Sequence, residues 1–260
     1  MVVAGIDVGA ATAKAVIMAD GEILGYCVIP TGHSIKTSAE EVMKLASEKA
    51  NVTTDNFDYV VSTGYGRHGI PFANKAVTEI TCHAKGVSSS IPLARTIIDI
   101  GGQDSKVIGI DDRGIVNNFV MNDKCAAGTG RFLEVMSGVL ELSIEELGPT
   151  ALLSKEPCSI STTCTVFAES EMVSLRAEGK SKVDLVGGII KSVSSRVVVM
   201  GRSVGFKEKV VFTGGVAKNI GVKKALEDEI GLEIWIPDEP QIMGALGAAL
   251  MAQVEFSKTS

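Results

Sequence analysis

The chain contains an internal repeat whose two copies are separated by most of a domain. Residues 5–17 (GIDVGAATAKAVI) align without a gap with residues 98–108 (IDIGGQDSKVI). Three positions coincide in this alignment: Asp7 with Asp99, Gly9 with Gly101, and Lys14 with Lys106. In both copies an apolar strand runs into an Asp, a glycine turn and a second apolar strand, which is the pattern of a β-hairpin. Repeats this far apart indicate duplication of a whole unit rather than a solenoid.

Helical and extended patterns follow each hairpin. Helical spacing runs through 39–50 and 131–140, and a longer apolar stripe predicts a helix at 183–204. Short apolar runs at 59–63 and 209–213 predict buried strands. Helices and strands mixed in two similar halves predict an α/β fold with a cleft between the halves.

The composition restricts the class of protein. The chain has 260 residues and a formal charge of −6, and no block of Lys or Arg, which argues against nucleic-acid binding. No apolar run reaches the ~18 residues of a membrane-spanning helix. Its five cysteines are odd in number and widely spaced, which fits a reducing compartment better than a disulfide framework. We therefore expect a cytoplasmic protein that binds neither nucleic acid nor membrane.

The glycine-rich turns predict phosphate binding, because backbone N–H groups in such turns point at an anion with no side chain in the way. Asp7 and Asp99 each end an apolar strand, where a charge is costly without a purpose. Two such carboxylates suit a hydrated Mg²⁺, and Gln103 or Asp104 is placed to orient an attacking water. The candidate catalytic residues are Asp7, Asp99, Gln103 and Asp104. The alternative makes both strand-end aspartates turn formers.

Three segments resemble the motifs of one ATPase superfamily. Residues 7–14 (DVGAATAK), 99–104 (DIGGQD) and 212–217 (FTGGVA) resemble the two phosphate motifs and the adenosine motif of actin, heat-shock chaperone ATPases and sugar kinases. One departure is Ala10, where such phosphate loops often carry Ser or Thr. The resemblance implies a duplicated actin-like (ribonuclease-H-like) ATPase fold that binds ATP or ADP with Mg²⁺.

The same resemblance implies nucleotide contacts and domain boundaries. The first half would span 1–95, with a C-terminal helix at 241–260 packing back on it, and the second half would span 96–240. The implied nucleotide contacts are Gly9, Ala10, Ala11, Thr12, Ala13, Lys14, Gly101, Gly102, Gly128, Thr129, Gly130, Gly214, Gly215, Ala217, Asn219, Gln241 and Gly244.

Two cysteine segments are more specific than the glycines. Residues 121–134 (MNDKCAAGTGRFLE) and 164–171 (CTVFAESE) closely resemble the activators of 2-hydroxyacyl-CoA dehydratases and their relatives in benzoyl-CoA reductases and double-cubane-cluster reductases. The resemblance runs from Gly5 to about Ala249. It implies that Cys125 and Cys164 from each of two chains bind one [4Fe–4S] cluster that bridges a homodimer. Each cysteine precedes a predicted helix, and good helix caps stand just before the second: Ser161, Thr162 and Thr163.

The resemblance implies an ATP-hydrolysing iron–sulfur reductase that takes single low-potential electrons from ferredoxin or flavodoxin. Its partner would be a 2-hydroxyacyl-CoA dehydratase or a double-cubane-cluster protein; alternatively, the chain would be the ATPase subunit of a benzoyl-CoA reductase. From the residues alone, a small-molecule kinase, a non-catalytic actin-like scaffold and an intersubunit Cys₄ zinc site stay open. The kinase would leave Cys125 and Cys164 without a role. The other cysteines are predicted to be ordinary core or surface thiols: Cys27, Cys82 and Cys158.

Overall fold

The computed structural model describes residues 1–54, 56–161 and 164–259. The chain divides into two compact units. The first comprises residues 1–94, 110–117 and 237–260, and the second comprises 95–109 and 118–236. Among the described residues, none of the helices has the length and apolar character needed to cross a bilayer.

The first unit is built on a five-stranded sheet with strand order β3-β2-β1-β4-β5. Its strands are β1 (Val2–Val8), β2 (Thr12–Ala19), β3 (Glu22–Pro30), β4 (Tyr59–Thr63) and β5 (Lys75–Ala76). Strands β1, β2 and β3 form an antiparallel meander, and β4 joins β1 in parallel. The helices of this unit are α1 (Ile35–Ala50), α2 (Glu79–Ser90) and α8 (Met243–Thr259). Helix α1 begins four residues before the predicted start at residue 39, because Ser34 caps it by accepting from the Thr37 N–H.

The second unit repeats this sheet with the order β8-β7-β6-β9-β10. Its strands are β6 (Thr96–Ile100), β7 (Ser105–Ile110), β8 (Val116–Asn122), β9 (Val210–Thr213) and β10 (Ile234–Trp235). Strand β6 pairs antiparallel with β7 and parallel with β9, as β1 does with β2 and β4. The identical strand order confirms the duplication predicted from the repeat.

Five helices belong to the second unit. They are α3 (Gly130–Val139), α4 (Ile144–Ala151), α5 (Thr165–Ala177), α6 (Lys182–Gly201) and α7 (Ile220–Ile230). Helices α4, α5 and α6 lie between α3 and β9, whereas the described residues of the first unit form no helix between α1 and β4. The predicted helix at 183–204 corresponds to α6, which ends at Gly201. The predicted strand at 209–213 begins one residue later, because Lys209 has a φ of 64°.

Each unit has its own aliphatic core. In the first, Ile6, Ile17 and Val42 are fully buried, and the small residues of α8 pack on the sheet. In the second, Phe132 and Phe212 are buried among the Val, Ile and Leu side chains of α3, α6 and the sheet. Aromatic residues make up only 5% of the chain, which accounts for cores of this aliphatic kind.

Candidate functional site

The first glycine turn connects β1 to β2. Gly9 donates its N–H to the Thr12 carbonyl at 3.0 Å, which closes the turn. Within the described chain, the N–H groups of Ala10 and Ala11 have no acceptor. Neither residue carries a side chain beyond Cβ, so an anion can approach both N–H groups closely. The turn therefore suits phosphate even though Ala10 supplies no hydroxyl.

The Asp of this turn is paired with the Lys predicted by the repeat. Asp7 and Lys14 are directly opposite in the β1–β2 register, and their charged atoms lie 3.5 Å apart. Their side chains are 15% and 14% exposed, so both remain accessible to a ligand. Gly244, in the first turn of α8, lies against the same carboxylate: a Cβ there would come within 2.7 Å of Asp7 Oδ2. Gln241, also predicted as a contact, donates its N–H to Glu239 at 3.3 Å.

The second turn has the same construction and a more buried charge cluster. Gly101 donates its N–H to the Asp104 carbonyl at 2.9 Å. Lys106 lies opposite Asp99 in the register and contacts both Asp99 (3.3 Å) and Asp104 (2.6 Å). Gln103 is exposed at the tip of the turn. The lysine thus holds both carboxylates in place, and Gln103 is the side chain best exposed to a ligand.

Each sheet also places a Thr-Gly pair beside its Asp. The pair in the second sheet is part of the predicted motif at 212–217, whereas the pair in the first sheet was not predicted to belong to the site. In the parallel registers, Thr63 lies opposite the first Asp and Thr213 lies opposite the second. The following residues, Gly64 and Gly214, have φ of 83° and 84°, and a Cβ on either would lie within 3 Å of a carboxylate oxygen of that Asp. Both positions therefore require glycine. The sequence signal was the shared strand-Thr-Gly pattern at 59–64 and 210–214.

The remaining predicted contacts after β9 fall in a 3₁₀ turn and a helix cap. Gly215 and Ala217 belong to the turn Gly215–Lys218. Asn219 is the N-cap of α7, and its side-chain oxygen accepts from the Val222 N–H at 3.1 Å. This oxygen is therefore occupied by the helix cap, and the side-chain amide nitrogen of Asn219 is the atom that suits a ligand.

Cys125 lies in a loop that leads from β8 to α3. The thiol is partly exposed. Asn122, at the end of β8, donates its side-chain N–H groups to the carbonyls of Cys125 (2.8 Å) and Ala127 (3.2 Å). Thr129 bonds back to Ala126, and Gly130 donates to the carbonyl of Gly101 in the phosphate turn. The predicted contacts Gly128, Thr129 and Gly130 thus lie on the chain segment that joins the thiol to this turn.

Cys164 occupies the N-cap position of α5. Its carbonyl accepts the first helical bond, from the Ala168 N–H at 3.0 Å, and its thiol is partly exposed. A helix N-terminus favours negative charge, so this position suits an anionic ligand. The predicted caps Thr162 and Thr163 lie outside the described residues, and Ser161 stands before the cap, where its N–H donates to Glu171 at 2.5 Å.

The other cysteines differ from this pair. Cys27 and Cys82 are buried, and burial raises the pKa of the Cys82 thiol to about 11. Cys158 is partly exposed, but its backbone packs against α6. Across the described residues, no group of three or more His, Cys, Asp or Glu side chains is arranged to hold a metal ion.

The duplicated sheets, each with an Asp at the start of a glycine turn, define an α/β protein with the actin-like ATPase and sugar-kinase fold. The ROK hexokinase of Thermus thermophilus has this fold and superimposes with a TM-score of 0.55 at 14% identity, covering 99% of this chain and 100% of that one. The fold class predicted from the motifs is confirmed.

Residues 4–252 match the model of the BadF/BadG/BcrA/BcrD ATPase family, and the chain belongs to this family. The chain is 44% identical to the (R)-2-hydroxyglutaryl-CoA dehydratase activating ATPase of Acidaminococcus fermentans, with 98% of both chains covered. It superimposes with a TM-score of 0.94 on the activator of the 2-hydroxyisocaproyl-CoA dehydratase from Clostridium difficile with bound ADPNP, at 45% identity over 100% of this chain and 97% of that one. The resemblance drawn from the cysteine segments is confirmed.

Proposed function

We propose that this protein is an ATP-hydrolysing activator that delivers single low-potential electrons to a separate 2-hydroxyacyl-CoA dehydratase. One observation carries the proposal: helix α3, which begins five residues after the partly exposed Cys125, is hydrogen-bonded at its first turn to the carbonyls of Gly101 and Gly102 in the second glycine turn. A kinase has no use for a thiol at this position. The activating ATPases among its relatives support a dehydratase as the partner.

The nucleotide is proposed to bind through the two glycine turns. Four N–H groups that have no acceptor among the described residues suit phosphate oxygens: those of Ala10, Ala11, Gly102 and Gln103. Asp7 and Asp99 suit the water ligands of Mg²⁺, which usually keeps several waters. Gln103, exposed at the tip of its turn, is placed to orient the attacking water, whereas Lys106 restrains the carboxylate of Asp104.

Cys125 and Cys164 are proposed to hold the cluster together with the same residues of a second chain. A [4Fe–4S] cluster takes four thiolates, and each chain offers two that are partly exposed and lie near helix N-termini. When bound, the cluster supplies one-electron transfer. The chain's own part is to present the two thiols and, at Cys164, to place the N-terminus of α5 beside an anionic group. Ferredoxin or flavodoxin is the proposed donor, and the cytoplasm is the proposed compartment.

The proposal is tested by three matched cysteine variants prepared without oxygen. Cys125→Ser and Cys164→Ser should each lose the iron and sulfide of the whole dimer and stop reduction of the dehydratase, while ATP binding remains. Cys158→Ser, a partly exposed thiol in the same unit, should retain both properties. Partner reduction at the wild-type rate by Cys164→Ser would refute the electron-transfer function. Four zinc-bound thiolates in the wild type would also refute it.

A further inference from the structure

The second phosphate turn and the first turn of α3 share two hydrogen bonds. Gly130 donates its N–H to the Gly101 carbonyl at 2.9 Å, and Arg131 donates to the Gly102 carbonyl at 2.8 Å. The first N–H groups of a helix have no acceptor within the helix. Because Thr129 provides no side-chain cap, the phosphate turn itself caps α3.

The peptide groups that cap α3 are the same ones that are proposed to bind phosphate. The Gly101 carbonyl and the Gly102 N–H belong to one planar peptide group, and the Gly102 carbonyl and the Gln103 N–H belong to the next. The two ends of a trans peptide group point in opposite directions. A phosphate that accepts from these N–H groups therefore polarises and orients the carbonyls that hold α3 on the other side.

The loop between this cap and Cys125 has little freedom of its own. Thr129 donates both its N–H (3.0 Å) and its hydroxyl (2.7 Å) to the Ala126 carbonyl. Asn122 donates to the carbonyls of Cys125 and Ala127. Three consecutive carbonyls beside the thiol are thus fixed, two of them by Asn122. Gly128 has a φ of 84° and packs against the methylenes of Arg196, so the loop bends at one defined place.

We propose that Asn122 is a positioning residue that transmits the nucleotide state of the second phosphate turn to Cys125. The inference rests on the proposed function, since it assigns a route by which ATP acts on the thiol that holds the cluster. A shift of the turn moves the start of α3, and the two bonds from Thr129 to the Ala126 carbonyl pass this shift to the loop. The two hydrogen bonds from Asn122, which act as a clamp, keep residues 125–127 rigid, so the Cys125 segment follows as one piece. Without the clamp, the loop absorbs the shift and Cys125 stays where it is.

The test uses cluster-free protein and measures the alkylation rate of Cys125 by iodoacetamide, with peptide mapping, in the presence of Mg-ADP or Mg-ADPNP. In the wild type we expect the rates with the two nucleotides to differ. In Asn122→Ala, the loss of two hydrogen bonds should raise the basal rate by about fivefold or more and bring the ratio between nucleotides close to one. Asn122→Asp keeps the shape but removes the donor, so it should behave like the alanine variant.

The control is Asn118→Ala, on the same strand, which removes a similar side-chain bond to the Ser203 carbonyl. It should keep the wild-type ratio, and alkylation of Cys164 reports on the fold of every variant. An Asn122→Ala protein with a wild-type ratio would overturn the inference, as would a wild type that binds both nucleotides by calorimetry but alkylates equally with each. Absence of any nucleotide binding would instead contradict the proposed function, and the inference would fall with it.

Discussion

At the scale of residues, the structural equivalence of the repeated Asp, Gly and Lys could be predicted, because a short hairpin fixes its own register. Asp7 lies opposite Lys14 and Asp99 lies opposite Lys106, so the aligned positions are structurally equivalent. The clamp by Asn122 could not be predicted, because it depends on how a loop folds back on the last residue of a strand. No sequence period signals such a bond.

The two Asp–Lys pairs give a matched comparison of charge burial. Lys106 is 5% exposed and holds two carboxylates, whereas Lys14 is 14% exposed and holds one. Lys106→Met removes the counter-ion of the buried Asp99 carboxylate and should lower the free energy of unfolding by about 3–5 kcal/mol. Lys14→Met should cost about 1 kcal/mol. Urea unfolding of both variants measures the difference, and equal losses would contradict this account of burial.

At the scale of elements, the long periodic segments were predictable and the shortest ones were not. The strand at 59–63 matches β4, and the helix at 131–140 matches α3 within one residue at each end. Strands β5 and β10 have two residues each, too few to show an alternating pattern. They form because a longer neighbouring strand offers them a paired edge.

The packing of α8 on α2 depends on glycines that allow a close approach. A Cβ on Gly247 would lie 1.6 Å from the Cys82 carbonyl oxygen, so the two helix backbones must separate to admit it. Gly247→Ala should therefore destabilise the protein by about 1–3 kcal/mol. The control is Gly138→Ala in α3, where a Cβ meets no atom within 4 Å, and it should stabilise by about 0.5–1 kcal/mol. Thermal unfolding compares the two, and a neutral Gly247→Ala would show that α8 is loosely packed.

The end of α8 carries a pH-sensitive ion cluster. Lys258 and Lys75 lower the pKa of Glu255 from 4.5 to about 2 by hydrogen bonds and charge. A pKa lowered by folding contributes stability above the unfolded-state value and loses it as the pH falls toward the folded-state value. The stability difference between wild type and Glu255→Gln should therefore be constant above about pH 5, shrink between 4.5 and 2, and vanish below that. Denaturant midpoints measured across this range test it; a difference that does not change with pH would rule out the charge as its source.

At the scale of the whole molecule, duplication supplies two copies of one glycine turn, and the second copy is hydrogen-bonded to the helix that follows Cys125. The insertion of α4, α5 and α6 gives the second unit Cys164 at a helix cap, and the loop after β8 gives it Cys125. In the first unit the equivalent loop after β3 carries no cysteine. The repeat therefore predicts the fold, whereas the function depends on where the copies differ.

That asymmetry leads to a prediction about assembly. If two thiols from each chain hold one cluster, the iron–sulfur bonds cross the interface and the dimer depends on them. Protein prepared without oxygen should sediment at about twice the chain mass of 27.2 kDa with close to four irons per dimer. Chelation of the iron should shift it toward the single-chain mass at micromolar concentration, and Cys158→Ser should follow the wild type throughout. Four irons on a particle of single-chain mass would show that one chain completes the site alone. A dimer unchanged by chelation would show that protein contacts, rather than the shared cluster, hold the two chains together.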